Sequence, residues 1–219
     1  MTRAVIFDMD GVLVDSQPFH FDVDRAVLAS CGRETALEVV QNYAGMSNVN
    51  RWTKYKRDFG LKASVETLIA THVRIIMEQL DAAALQAIPH IPALLDMLKA
   101  QDLRLAVASS SSYDFIYKML DKLGIRGVFD IVLSGEDMPN SKPAPDIFLR
   151  AADMLECAAD ECVVIEDSAS GVQAAGAAKI RCVGFRNVNS GAQDLTGAAL
   201  IVDDFADLLN NTTWLEAVR

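Results

Sequence analysis

The sequence has little of what an exported or membrane-embedded protein needs. No apolar run in its 219 residues approaches the length that spans a membrane, and Asp8 interrupts the first apolar run too early for a secretory signal. Its cysteines contain no Cys-x-x-Cys pair and are scattered among apolar neighbours; they are Cys31, Cys157, Cys162 and Cys182. We therefore expect a cytoplasmic protein whose cysteines are reduced thiols of the core.

Positive charge is also scarce. The chain has 20 Lys and Arg residues against 30 Asp and Glu residues, which gives a net charge of −10. Such a surface repels nucleic acid and anionic membranes, so neither is expected as a partner. With 51% hydrophobic residues the chain can bury a substantial core, either as one large domain or as a domain that carries a smaller insert.

Short apolar runs rich in β-branched residues alternate with amphipathic stretches over most of the chain. Nearly continuous apolar runs are typical of strands that are covered on both faces of a parallel sheet. The predicted strands are residues 4–8, 103–109, 129–134, 162–167, 181–185 and 200–204, and the predicted helices between them are 91–101, 112–124, 145–156 and 168–179. This alternation predicts βαβ units and an α/β fold with a doubly wound, Rossmann-like parallel sheet.

More than ninety residues between the first two predicted strands lack a comparable strand signal. Residues 18–84 have few glycines, and the apolar spacing predicts helices over 18–31 and 65–80. We therefore expect an α-helical domain over residues 15–86, inserted after the first strand, and a core domain formed by residues 1–14 and 87–219.

Polar residues cluster where three of the predicted strands end. Asp8 ends the first strand and Asp10 comes two residues later. Ser109 ends the second strand and is followed by Ser110–Ser112, and Glu166 and Asp167 end the strand at 162–167. Residues two apart in an extended chain point to the same face, and ligands of open parallel sheets bind beyond the carboxyl ends of the strands. Four carboxylates in one crevice need a cation, and hard oxygen ligands indicate Mg²⁺ rather than zinc.

The same edge of the sheet also carries groups that bind an anion. The serine run precedes a predicted helix, whose N-terminal N–H groups attract negative charge, and Lys142 adds a compact positive charge. A metal beside an anion site suggests a phosphoryl group. Asp8 would then be a nucleophile that forms an aspartyl phosphate, and Asp10 the acid and base that serves the leaving and entering oxygens.

These motifs, in this order, resemble those of the haloacid dehalogenase superfamily. Its first motif, DxDG, matches residues 8–11, its serine or threonine matches Ser109, its lysine matches Lys142, and its acidic pair matches Glu166 and Asp167. The resemblance covers nearly the whole chain. It implies that Asp8 is phosphorylated and that Ser109 and Lys142 bind the phosphate.

For the metal, the resemblance implies that Asp8, the backbone carbonyl of Asp10 and Asp167 hold Mg²⁺, with Glu166 close by. Asp10 argues against dehalogenation, because the dehalogenases lack this residue and the metal.

Within the superfamily, "FDMDGVLVDS", "SKPAPDIFL" and "IEDSASGVQAA" are similar to the branch that contains β-phosphoglucomutase, small-metabolite phosphatases and phosphonatase. This likeness implies that the helical insert is a cap that closes over the site and supplies specificity groups. The expected partner is a small phosphorylated metabolite such as a sugar phosphate. A self-contained site needs no second subunit, so we expect a monomer.

The candidate substrate-binding residues are Ser110, Ser111, His20, Asn48 and Arg51. His20 matches the position of a cap histidine of the mutases, whereas the mutase arginine after Gly-x-Ser is missing, since residues 45–48 read Gly-Met-Ser-Asn. Four cations could replace that arginine, and each is also explained as a solvated charge on its helix. They are Arg51, Lys54, Lys56 and Arg74.

The fate of the phosphoryl group stays open at this point. A phosphatase transfers it to water, and a β-phosphoglucomutase-like enzyme returns it to a second sugar hydroxyl. Pyrophosphatase chemistry, phosphonatase chemistry with Lys54 or Lys56 as a Schiff-base lysine, and a binding module without activity are further alternatives.

Two residues outside the motifs have structural explanations. His72 falls on the apolar stripe of its predicted helix, which indicates a core histidine. Gly171 lies near a predicted helix start, where close packing against the sheet and close approach to a phosphate explain it equally well.

Overall fold

A computed structural model describes residues 1–44, 46 and 48–216. The chain forms two compact units, one of Met1–Asp15 with Leu85–Arg219 and one of Ser16–Ala84. We call them the core unit and the helical unit. The breaks expected from the sequence, after residues 14 and 86, lie one and two residues from these boundaries.

The core unit is built on one six-stranded sheet in which every strand is parallel to its neighbours. The strands lie in the order β3-β2-β1-β4-β5-β6. They are β1 (Ala4–Phe7), β2 (Arg104–Ser109), β3 (Ile131–Ser134), β4 (Cys162–Glu166), β5 (Arg181–Phe185) and β6 (Leu200–Val202). This confirms the doubly wound α/β fold, with strand ends within two residues of the predicted ones.

The register of the sheet aligns the carboxyl ends of its three central strands. Phe7 of β1 pairs with Val107 of β2 on one side and with Ile165 of β4 on the other. The backbone N–H of Asp8 continues this ladder and donates to the Ile165 carbonyl at 3.0 Å. Strands β2 and β3 lie on one side of β1, and β4, β5 and β6 lie on the other, so the crevice that forms at such a switch point lies where Asp8 leaves β1.

The helical unit contains α1 (Gln17–Ser30), α2 (Leu37–Gln41), α3 (Asn48–Phe59) and α4 (Val65–Leu80). Helices α1 and α4 correspond to the two predicted helices, and α2 and α3 had no separate prediction. Ser64 begins α4, because its hydroxyl accepts the Thr67 N–H. The buried side of the unit includes large aromatic groups, notably Trp52 and Tyr55.

In the described part of the core unit, the α-helices are α5 (Ile91–Ala100), α6 (Tyr113–Lys122), α7 (Asp146–Met154), α8 (Ala169–Ala177) and α9 (Ala206–Asn210). Helices α7 and α8 pack with Ala4 and Ile6 of β1 in one buried cluster. Side chains alternate along a strand, so Val5 and Phe7 point to the opposite face, where the Phe7 ring meets Phe129 edge-on. Both faces of the sheet are thus covered, which explains its continuously apolar strands.

The cysteines agree with the sequence expectation at three positions of four. Cys157, Cys162 and Cys182 are buried free thiols, whereas Cys31 is exposed, so the prediction of a core thiol is wrong there. Cys31 directly follows the last residue of α1.

Among the described residues, no helix combines the length and the apolarity that crossing a membrane requires.

Candidate active site

Lys142 is the centre of the polar cluster at the carboxyl edge of the sheet. Its Nζ donates to Oδ1 of Asp8 at 2.6 Å, to Oε1 of Glu166 at 2.8 Å and to the carbonyl of Ala108 at 3.1 Å. Burial by itself would lower the pKa of Lys142, but the charges of Asp8 and Glu166 outweigh it and raise that pKa. The lysine is therefore a permanent cation whose three N–H groups are all used.

Asp8 is held out of water at the end of β1, with only 8% of its surface exposed. Burial raises the pKa of Asp8 to about 7; the Lys142 charge opposes this rise, and the nearby Glu166 and Asp10 charges add to it. One ammonium thus faces several carboxylates in a dry crevice. Such an excess of buried negative charge favours the binding of a further cation.

Both carboxylate oxygens of Glu166 have protein partners. Oε1 accepts from Lys142, and Oε2 accepts from the backbone N–H of Ser168 at 2.8 Å and from its hydroxyl at 2.9 Å. Gly171 makes room for this carboxylate, because a Cβ atom at residue 171 would lie 1.8 Å from Glu166 Oε1. Close packing against this side chain therefore accounts for Gly171.

Asp10 is bound to the serine loop that follows β2. The Ser111 hydroxyl donates to Oδ2 of Asp10 at 2.8 Å. Ser109, which is 1% exposed, accepts the backbone N–H of Ser111 at 3.1 Å, and Ser134 donates to the Ser111 carbonyl at 2.7 Å. The loop thus holds Ser111 against Asp10, while Ser110 is exposed.

Asp167 completes the carboxylate group of the site. Burial raises its pKa well above the usual value, and the charges of Glu166 and Asp8 raise it further. The Ser190 hydroxyl donates to Oδ2 of Asp167. Gly11 lies close to the same oxygen, because a Cβ atom at residue 11 would be 2.0 Å from it. The residue also has φ +87°, a conformation that favours glycine.

The donor chemistry of this cluster fits a hard divalent cation. In the described part of the chain, no group of three or more His, Cys, Asp or Glu side chains is arranged to bind a metal. Mg²⁺, however, is commonly held by one or two carboxylates together with water and substrate phosphate. Asp8 and Asp167 supply two such carboxylates, whereas protein donors already engage both oxygens of Glu166.

The helical unit places two of the predicted substrate-binding residues together. Nη2 of Arg51 donates to Oδ1 of Asn48 at 2.6 Å, and Nε of Arg51 lies 3.1 Å from Oδ2 of Asp24. Arg51 is only 8% exposed, so its interpretation as a solvated charge is wrong. The helix α3 turns it inward because Asp24 on α1 is fully buried and needs a counter-charge. Gly45 and Ser47 lie outside the described residues.

His20 and His72 stack within this unit, with ring centroids 5.9 Å apart. His72 is buried, as the sequence indicated, and its Nε2 lies 3.3 Å from Oδ1 of Asp24. Burial lowers the pKa of His72 to about 2, and the Arg51 charge contributes to the decrease. His72 is therefore neutral at ordinary pH.

The other cations that could replace the missing arginine have partners of their own. Arg74 is exposed and pairs with Glu78 at 2.8 Å, in agreement with a surface charge. Lys54 lies over the Tyr43 ring at 4.8 Å. Lys56 donates to backbone carbonyls after α3, including that of Leu61 at 2.9 Å.

Sequence reasoning missed Ser168 and the loop after β5, which contributes Asn187, Asn189 and Ser190. The signal was present, because "RNVNSG" places polar residues beyond a strand's carboxyl end, as the recognised motifs do.

Comparisons with known proteins place this geometry in context. Residues 5–185 match the family described as haloacid dehalogenase-like hydrolase. The chain is 30% identical over 210 residues to the phosphorylated carbohydrates phosphatase of Thermotoga maritima, an alignment that covers 95% of this chain and 97% of that protein. It is 32% identical over 224 residues to the β-phosphoglucomutase of Bacillus subtilis, with coverages of 94% and 91%.

A solved structure agrees in fold. The crystal structure of CbbY from Rhodobacter sphaeroides in complex with phosphate superposes with a TM-score of 0.83 at 23% identity, covering 95% of this chain and 96% of that one. The family match spans more than half of the sequence and includes each of the motifs recognised above. The chain therefore belongs to the haloacid dehalogenase-like hydrolase family.

Proposed function

We propose that the protein is a Mg²⁺-dependent phosphatase of a small phosphorylated carbohydrate and that it works through a phosphorylated Asp8. The observation that carries this proposal is the contact between Asp8 and Lys142 at the end of the central strand, 2.6 Å long and shielded from water. A carboxylate held in this way is fixed in direction, as a nucleophile needs to be.

In the first step, a carboxylate oxygen of Asp8 attacks the phosphorus. A bond forms between Asp8 and phosphorus as the ester P–O bond breaks, and Asp10 gives its proton to the departing alcohol oxygen. In the second step, Asp10 takes a proton from water, the water oxygen binds phosphorus and the Asp8–phosphorus bond breaks. Ser111 keeps Asp10 in place for both transfers through its 2.8 Å hydrogen bond.

Lys142 and the serine loop bind the transferred group. The ammonium is drawn toward phosphate oxygens while it stays attached to Glu166, and Ser109 and Ser110 offer donors beside it. Asp8, the Asp10 carbonyl and Asp167 would hold Mg²⁺. When bound, this ion supplies positive charge that offsets the repulsion between the carboxylates and an incoming phosphate.

The substrate class rests on the relatives. The Thermotoga maritima protein is named as a phosphatase of phosphorylated carbohydrates, and it aligns with this chain over nearly the full length of both. The named β-phosphoglucomutase of Bacillus subtilis supports a second candidate, in which the phosphoryl group returns to another hydroxyl of a sugar phosphate. Asn48, which stands where the mutases have an arginine, favours the phosphatase.

A phosphate-release screen over sugar phosphates, with Mg²⁺ and with EDTA in parallel, tests the proposal. We expect phosphate release from at least one sugar phosphate, and we expect EDTA to abolish it. A separate reaction with β-glucose 1-phosphate and a trace of glucose 1,6-bisphosphate is followed for glucose 6-phosphate. Formation of that isomer with little free phosphate would replace the phosphatase by the mutase, and no turnover in either assay would contradict both.

A further inference from the structure

The loop formed by residues 186–193, here called the β5 loop, makes a set of polar contacts that the proposed reaction does not use. It leaves the sheet at the carboxyl end of β5, the strand next to β4. Ser190 and Asn187 of this loop are polar residues with 3% and 8% exposure. Buried polar groups are costly unless they are hydrogen-bonded, so their partners indicate what the loop does.

Ser190 donates its hydroxyl proton to Oδ2 of Asp167. The two side chains and Gly11 meet at one point, since a Cβ atom at residue 11 would lie 2.0 Å from that oxygen and 3.1 Å from the Ser190 Oγ. The carboxylate of Asp167 is thus confined between a donor and the backbone of the loop that follows Asp10. Its rotation is restricted before any ion arrives.

The β5 loop is itself attached to the same region. Nδ2 of Asn187 donates to the Gly11 carbonyl at 3.0 Å, and Nδ2 of Asn189 donates to Oδ2 of Asp15 at 2.6 Å. At its far end, the Gln193 side chain accepts from the Ala169 backbone N–H at 3.1 Å. The β5 loop is therefore held by hydrogen bonds both before and after Ser190 in the sequence.

We infer that Ser190 is a positioning residue for the divalent ion: it holds Asp167 in the orientation that binds the cation and acts only through that carboxylate. This role rests on the proposed Mg²⁺ site and adds to it a residue that sets its affinity. Outer contacts of this kind change metal affinity by about 10–100-fold when they are removed.

Mn²⁺ binding, followed by the electron paramagnetic resonance signal of the free ion, tests the role without any turnover. In Ser190→Ala the dissociation constant for Mn²⁺ should rise about tenfold. Ser190→Cys replaces the hydroxyl by a somewhat larger thiol, which is a weaker donor, so its affinity should also fall. Thr2→Val is the matched control, because it removes a buried hydroxyl at the amino end of β1, where Thr2 donates to the Leu215 carbonyl. Its Mn²⁺ affinity should equal that of the wild type.

The outcomes separate this inference from the proposed function. If the wild type and both Ser190 variants bind Mn²⁺ equally well, Ser190 does not position Asp167 for the ion, and the proposed metal site is still supported. An equal loss of affinity in Thr2→Val would also overturn the role, because it would trace the effect to general loss of a buried hydroxyl. If the wild type binds no Mn²⁺, the proposed metal site itself fails, and the role of Ser190 fails with it.

Discussion

Gly171 lies directly against the carboxylate of Glu166. A Cβ atom at residue 171 would approach Oε1 to 1.8 Å and Oε2 to 2.4 Å, far inside van der Waals contact. Oε1 is the oxygen that accepts from Lys142, and Lys142 in turn holds Asp8. Gly171, which lies in α8 outside the four motifs, thus leaves the space that Glu166 needs in order to accept from Lys142.

The first prediction follows from this contact. Gly171→Ala should displace Glu166, destabilise the protein by about 2 kcal/mol through overpacking and lower kcat, because Lys142 loses the position that holds Asp8. Gly176→Ala in the same helix is the control, since nothing lies within 4 Å of a Cβ atom there. That change should leave kcat unaltered and slightly stabilise the helix. Urea unfolding and phosphate release measure both effects, and equal behaviour of the two variants would contradict the packing argument.

Ser111 offers a second prediction, on proton transfer. Ser111→Ala removes the 2.8 Å hydrogen bond to Asp10, and a hydrogen bond to a charged group is worth about 1.5–3 kcal/mol. We expect kcat to fall about tenfold or more with a smaller change in KM, because Asp10 acts in the chemical steps. Ser112→Ala is the neighbouring control; the Ser112 side chain makes no capping hydrogen bond to α6. A normal kcat in Ser111→Ala would show that Asp10 needs no such support.

Lys142 and Glu166 provide a third prediction, on stability. Lys142→Met leaves Asp8 and Glu166 as uncompensated buried charges, and breaking such a cluster costs about 3–5 kcal/mol. Adding Glu166→Gln to Lys142→Met removes one of these charges and should recover part of the unfolding free energy without recovering activity. Denaturant unfolding of the single and double variants measures the recovery. A double variant no more stable than Lys142→Met would contradict the electrostatic explanation.

The helical unit gives a fourth prediction, on pH dependence. Burial lowers the pKa of His72 from 6.5 to about 2, so the stability it contributes is fully present above pH 6.5 and is lost as the pH falls. His72→Gln cannot take up this proton. When the pH falls from about 6.5 to about 5, the unfolding free energy of both proteins should change. The decrease should be about 2 kcal/mol larger in the wild type than in the variant.

The control for His72 is built into the comparison. Burial raises the pKa of Asp24, whose stability contribution has the opposite sign and is lost as the pH rises, but Asp24 is present in both proteins. Unfolding curves over this pH range provide the measurement. Parallel pH profiles for wild type and variant would mean that His72 titrates normally in the folded protein.

Much of the fold could be predicted from the sequence because parallel strands that are covered on both faces leave a strong apolar signal. The runs around Ile6, Val107 and Val164 predicted β1, β2 and β4, and the polar residues directly after them predicted where the site would lie. Those residues come together because a parallel register brings strand ends level, which is a property of the backbone alone.

The remainder depended on side-chain contacts between distant segments. No local pattern indicates that Arg51 turns inward, because Asp24, the buried charge that attracts it, lies on a different helix. The contact between Ser190 and Asp167 likewise joins the ends of two strands that only the folded sheet brings together. The environment of Glu166 could not be predicted for the same reason, because Ser168 and Gly171 contact its carboxylate only after α8 has packed.

The role of Asp8 as the nucleophile is tested most directly by phosphate release from Asp8→Asn, compared with the wild type and with Asp160→Asn, whose side chain is exposed and lies outside the motifs. We expect Asp8→Asn to keep its fold, as judged by circular dichroism, and to release no phosphate above background, whereas Asp160→Asn should retain wild-type turnover. Substantial Mg²⁺-dependent phosphate release by a folded Asp8→Asn protein would contradict the assignment of Asp8 as the nucleophile.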